Sequence, residues 1–123
     1  MTGVKFVNLT PHEVTIFDPE GKNVIMRIPP SGMVARVSVV SDVIGYFSTP
    51  QGNIPIRKTV YGEMQGLLEP SEGTIYIVST VVLLALKAKG IKRDDVVAPD
   101  TNPDSVVRDP EGRIIGVKYF QVV

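Results

Sequence analysis

Cysteine and tryptophan are absent from this 123-residue chain, histidine occurs once, and the formal charge sums to zero. Without Cys there is no disulfide framework, no thiolate nucleophile and no cysteine-ligated metal. A single His leaves little material for a metal site and makes that residue conspicuous as an acid–base group. Thirteen Lys and Arg against thirteen Asp and Glu give no cationic surplus to displace counterions from phosphates, so nucleic acid is not the expected partner. The same balance gives little colloidal repulsion and leaves a homo-oligomer open. Leu and Ala are scarce, at 6 and 4 residues, which argues against a helix bundle. The longest strongly apolar stretch, Ile75 to Leu86, is interrupted by Ser79 and Thr80 and is too short to span a bilayer. Met1 to Leu9 lacks the apolar core and cleavage site of a signal peptide. The expectation is a cytoplasmic protein with no membrane contact.

What the chain has in abundance is Val (20) and Ile (11), whose branched β-carbons fit a pleated surface. With 43% hydrophobic and 21% charged residues, the composition is globular, and residues 1–123 suit one domain. Turn signals punctuate the β-branched runs. Asp18-Pro19-Glu20-Gly21 and Asp109-Pro110-Glu111-Gly112 are the same tetrapeptide, each flanked by strand-like segments, and both read as hairpin turns. Thr49-Pro50-Gln51-Gly52-Asn53 is a third, between Ile44–Ser48 and Ile54–Tyr61. Met33–Val40 reads as a further strand, and Gly62–Gly73, with three glycines and a proline, as a loop over one end.

One segment departs from this pattern. After the strand Thr74–Val78, Ser79 or Thr80 can cap a helix, Lys87 and Lys89 suit its negative end, and Gly90 suits the position beyond it. Val81 to Leu86 is apolar on every face, which predicts a largely buried helix. The sequence therefore predicts a mainly β (α+β) fold: a β-sandwich or small barrel of about eight short antiparallel strands, with one buried helix near residues 79–89.

Three polar clusters are candidate sites. In Asn8-Leu9-Thr10-Pro11-His12 the sole His follows a strand end, where Asn8 and Thr10 can either meet a ligand or satisfy the turn's own backbone. At the strand-to-helix junction, Ser79 and Thr80 add two hydroxyls to the free N–H groups of a helix start, which can hold an anion; capping alone also explains them. Arg93-Asp94-Asp95 through Arg108-Asp109 forms a carboxylate-rich loop in which Asp100 and Arg108 are the candidate ligand contacts. Its carboxylates could hold a hard cation, but the spacing matches no EF-hand, and Asp100 and Asn102 are common turn formers. No metal site and no cofactor are expected, since the chain has no Gly-rich phosphate loop and no glycines around Ser79 to make a nucleophile elbow.

The segments NLTPH (8–12), TVYGEMQGL (59–67), EGTIYIVS (72–79), DDVVAPDT (94–101) and RDPEGRIIGV (108–117) together resemble a group of small uncharacterised bacterial and phage-associated proteins. The resemblance covers most of the chain and implies an intracellular protein associated with mobile elements. It carries no function and no residue roles.

These features favour a non-enzymatic binding module acting through a protein partner or a small anionic ligand. The alternatives are a small hydrolase or lyase using His12 as general acid or base, oriented by Asp100 or Asp95, and a structural or assembly protein of virion type.

Overall fold

Short β-branched runs separated by Pro- and Gly-containing turns form ten strands and one helix in the computed structural model, which describes residues 3–123. In chain order these are β1 (Lys5–Asn8), β2 (Val14–Phe17), β3 (Val24–Ile28), β4 (Arg36–Thr49), β5 (Gly52–Gln65), β6 (Thr74–Ile77), α1 (Thr80–Ala88), β7 (Val96–Pro99), β8 (Val106–Arg108), β9 (Ile114–Val117) and β10 (Phe120–Gln121). The mainly β class with one helix agrees with the sequence. The finer expectation of uniformly short, antiparallel strands needs correction.

The strands make two four-stranded sheets, ordered β1-β6-β7-β10 and β3-β2-β9-β8, and one two-stranded ribbon, β4-β5. Three of the pairings are parallel: β1 with β6, β6 with β7, and β2 with β9. Side-chain alternation along β1, β6 and β7 sorts the first sheet's two faces. Ile75, Ile77, Val97 and Phe6 pack toward Val14, Ile16 and Ile28 of the second sheet. Leu9, Tyr76, Val78, Val96 and Ala98 pack toward Val82, Leu83 and Leu86 of α1. The result is three layers, helix on sheet on sheet, with no closed barrel. Phe6 and Phe120 lie on the outer strands of the first sheet, yet their ring centroids are 5.5 Å apart. Neighbouring strands are about 4.8 Å apart, so that sheet must curl strongly to bring them together.

α1 begins where the sequence places it. Ser79 has extended backbone angles and its hydroxyl accepts from Val82 N at 3.4 Å. At the other end Gly90 takes φ +69°, and Ile91 N donates to Leu86 O at 3.0 Å, closing the last turn. Val82, Leu83, Ala85 and Leu86 are buried, while Val81 and Leu84 remain about half exposed. The helix joins two adjacent parallel strands, the arrangement such a crossover serves.

The ribbon differs most from expectation. Met33–Val40 with Ile44–Ser48, and Ile54–Tyr61 with the start of the predicted loop, fuse into two strands of 14 residues each. The loop proper is residues 66–73, whose Leu67 and Leu68 pack on the helix-side core. At about 3.3 Å per residue each strand is roughly 45 Å long. Only the base, through Val37 and Met64, packs on that core. Beyond it the ribbon is exposed, and forms an arm. Two irregularities interrupt its register, between Val37 and Val39 and between Val43 and Gly45. The first lies beside Gly62, where a Cβ would collide with the Ser38 hydroxyl. At the tip Pro50 fixes φ near −65°, so the left-handed hairpin turns that match strand twist are inaccessible. Gly52 absorbs the mismatch at φ +142°, and Thr49 Oγ1 donates to its carbonyl at 2.7 Å.

Candidate functional site

The first and second candidate clusters meet in one cleft. Thr10 and His12, from the β1–β2 turn, and Ser79 and Thr80, at the start of α1, line a concavity of about 420 Å³. Glu13, Val14 and Thr15 of the β2 region, Pro99 and Thr101 beyond β7, and Ile114 to Val117 of β9 complete it. The volume falls within the usual range for small-molecule sites. Its lining combines an apolar floor with several hydroxyls and the one imidazole.

Asn8 explains how the turn is held. It is 1% exposed, and its amide nitrogen donates to His12 O at 2.8 Å and to Ile28 O at 3.0 Å. Its Oδ1 accepts from Thr10 N at 2.9 Å and Thr10 Oγ1 at 2.7 Å. Thr10 Oγ1 also reaches His12 O, at 3.0 Å. Asn8 and Thr10 thus spend their polar groups on the backbone that presents His12. His12 itself is exposed, and no hydrogen bond joins its side chain to a carboxylate among the described residues. The adjacent Glu13 carboxylate faces Arg27 at 3.7 Å.

Asp100 and Arg108 sit elsewhere in role. Asp100 is half-buried and accepts from Asn102 N at 2.9 Å, the local turn its residue type favours. It lies between Pro99 and Thr101, which reach the cleft. Arg108 is exposed and its guanidinium donates to Gly112 O at 2.7 Å, closing its own hairpin. Asp95 is engaged by Arg93: Nε donates to Oδ1 at 2.7 Å and Nη2 to Oδ2 at 2.9 Å, while Nη2 also donates to Leu68 O. This fork holds the Asp95 carboxyl below its ordinary range and raises the Arg93 guanidinium further. Asp18 is likewise lowered, chiefly by the Lys22 N–H in the first hairpin turn. Neither Asp95 nor Asp100 is hydrogen-bonded to His12; Asp95 is taken up by Arg93 and Asp100 by the Asn102 N–H. Among the described residues no group of three or more His, Asp and Glu side chains is placed to hold a metal ion.

Sequence reasoning missed Glu13, Thr15, Thr101 and the β9 floor. Glu13 and Thr15 follow His12 directly and Thr101 follows β7, whereas the β9 floor reaches the cleft through the parallel pairing of β2 with β9, where Ile16 meets Val117. No local sequence signal encodes a partner as distant as β9.

The arm presents a second surface. Phe47 is 65% exposed, Tyr46 63% and Ile44 62%, with Val39, Val40, Val43, Ile54 and Val60 about half exposed. Among the described residues no helix is long and apolar enough to cross a membrane. No protein family, curated protein or solved structure matches this chain.

Proposed function

We propose that the chain is a non-enzymatic binding module that works by docking to protein through the β4–β5 arm. One observation carries this reading: apolar side chains are exposed on both faces of a ribbon roughly 45 Å long. An isolated two-stranded ribbon is at best marginally stable in water. Half-exposed Val and Ile with a Phe and a Tyr amount to roughly 600 Å² of apolar surface over the two faces, about 300 Å² on each, the size of the largest contiguous patch on a typical monomer, which is often functional. Surfaces of that kind mark contact sites, and covering them would stabilise the ribbon.

The test is photo-crosslinking in cells with a benzophenone amino acid in place of Phe47. The expected result is one discrete protein adduct, lost when Ile54→Asp adds a charge beside it. If no adduct forms, the arm is not a docking element.

A small anionic ligand is the second reading, favoured by the convergence of Thr10, His12, Ser79 and Thr80 on one cleft. Glu13 weighs against a strongly anionic ligand there, although Arg27 offsets part of its charge. A thermal-shift screen with inorganic phosphate, nucleotides and sugars tests it. Saturating ligand at a hundred times its Kd should add about 2.7 kcal/mol, and no shift with any of them removes the reading.

A further inference from the structure

We propose that the arm's partner is a second copy of this chain, packed face to face about a two-fold axis that runs along the arm. The inference rests on the arm being a docking element and names what docks. Three features of the ribbon lead to it.

The first is that its edges are guarded while its faces are not. With Pro50 and Gln51 as the two-residue loop, Thr49 and Gly52 form a hydrogen-bonded pair, and pairs alternate from there. Pro55, opposite Tyr46, then falls at a non-hydrogen-bonded position, with its missing N–H on the outer edge of β5. On β4 the register break at Ile44 distorts the other edge. Growth by strand addition is obstructed on both sides, which leaves the faces.

The second is charge. Following side-chain alternation through the register break places Val40, Val60, Asp42, Lys58, Phe47 and Ile54 on one face. Asp42 lies directly across from Lys58 in the ladder. A two-fold axis along the arm lays β4 of one copy over β5 of the other. Asp42 of each copy then faces Lys58 of the other, Phe47 faces Ile54, and Val40 faces Val60. An axis across the arm would instead stack Asp42 on Asp42 and Lys58 on Lys58. Of these two arrangements only the first pairs opposite charges.

The third is area. Val40, Phe47, Ile54 and Val60 together expose on the order of 300 Å² of apolar side chain. Two copies therefore remove about 600 Å² of apolar surface, and at the ordinary apolar share of an interface about 1,000 Å² in all. That meets the lower bound of about 1,000 Å² for a specific interface. The zero net charge of the chain adds no long-range repulsion between copies.

The experiment is sedimentation velocity on the purified full chain and on two single variants, Asp42→Lys and Lys58→Asp, alone and mixed. Wild type is expected to be dimeric at micromolar concentration. Each variant places like charges against each other and should weaken its own dimer by about a hundredfold. Mixed together, one variant carries two cations on this face and the other two anions, so a heterodimer should form. Rescue on mixing is specific to contact between copies, because the repulsion within each ribbon is unchanged. Circular dichroism on each variant alone establishes that it is folded; if either is not, Asp42→Asn and Lys58→Gln, which remove the charges, are expected to weaken the dimer. A monomeric wild type at high micromolar concentration overturns the proposal, as does a dimer that the charge variants leave unaffected or a mixture that stays monomeric. A monomeric wild type with a Phe47 adduct to a different polypeptide overturns the second-copy partner and leaves the docking reading standing. A monomer with no adduct overturns both.

Discussion

Asn8 is the side chain on which the presentation of His12 depends. It makes four hydrogen bonds, of which those to Ile28 O, Thr10 N and Thr10 Oγ1 are buried and that to His12 O is part-buried. Removing it strands the Ile28 carbonyl and the Thr10 N–H, while the Thr10 hydroxyl can still donate to the His12 carbonyl, and an unpaired buried polar group costs about 1–3 kcal/mol. Asn8→Ala should therefore lower the unfolding free energy by about 3 kcal/mol, measured by urea denaturation. Asn8→Asp should lower it as well, because a carboxylate cannot donate to the His12 and Ile28 carbonyls. A loss under about 1 kcal/mol for Asn8→Ala would show that the turn holds itself. Arg93 and Asp95 make a comparable clip between the 66–73 loop and the entry to β7. Asp95 has its carboxyl lowered from 3.8, first by the hydrogen bonds from Arg93. A folded-state value below the unfolded one means the stabilisation is fully present above the unfolded value. It is lost as pH falls through the lowered folded value. Wild type should thus lose stability on acidification below the ordinary carboxylate range, and Asp95→Asn should show a flatter profile there. At neutral pH the variant should be less stable by about 2 kcal/mol. Parallel profiles for the two proteins would show that the pair carries no linkage.

At the level of elements, the legible parts were those whose signals are local. The helix, its Ser79 cap and its Gly90 stop could be read because capping involves residues within one turn. Both Asp-Pro-Glu-Gly turns form as read, with Gly21 N donating to Asp18 O and Gly112 N to Asp109 O, each at 2.9 Å. The arm departs from the sequence pattern for a physical reason. Ser41 and Asp42 look like a break between strands, yet they pair with Thr59 and Lys58 and continue the ladder. Polar residues interrupt a strand only where a face must be buried, and the arm buries little of either face. The cleft was half legible: its hydroxyls and His12 stood out, while its β9 floor depended on a parallel pairing with no local code. Gly116 in that floor is one such silent position. A Cβ there would sit 2.5 Å from Phe17 Cε2 and 2.7 Å from Thr15 O. Gly116→Ala must push β9 from β2 or displace the Phe17 ring, at a cost of about 2 kcal/mol. A thermal midpoint unchanged from wild type would mean that the strands part freely.

The whole molecule divides into a three-layer body with its own core and an arm that takes part only through its base. Val37, Met64, Leu67 and Leu68 pack on the helix-side core, and the ribbon beyond Val39 adds nothing to either core cluster. Stability and association should therefore be separable. Val39 and Tyr61 face each other in the ladder, so the span can be closed by joining them through Asn-Gly, a pair that suits a two-residue hairpin. The shortened chain removes residues 40–60 and keeps every residue of the two core clusters. It should fold with the same helix signal and unfold within about 1 kcal/mol of wild type, because the contacts removed are those the arm makes with itself. It should also be monomeric at concentrations where wild type associates, since the Asp42–Lys58 face is gone. The paired measurement is denaturation by circular dichroism alongside sedimentation of the same sample. An unfolded shortened chain would show that the arm belongs to the folding unit. A folded one that still associates would place the contact on the body instead, where Val24, Ile25 and Met26 of the edge strand β3 are among the exposed apolar residues.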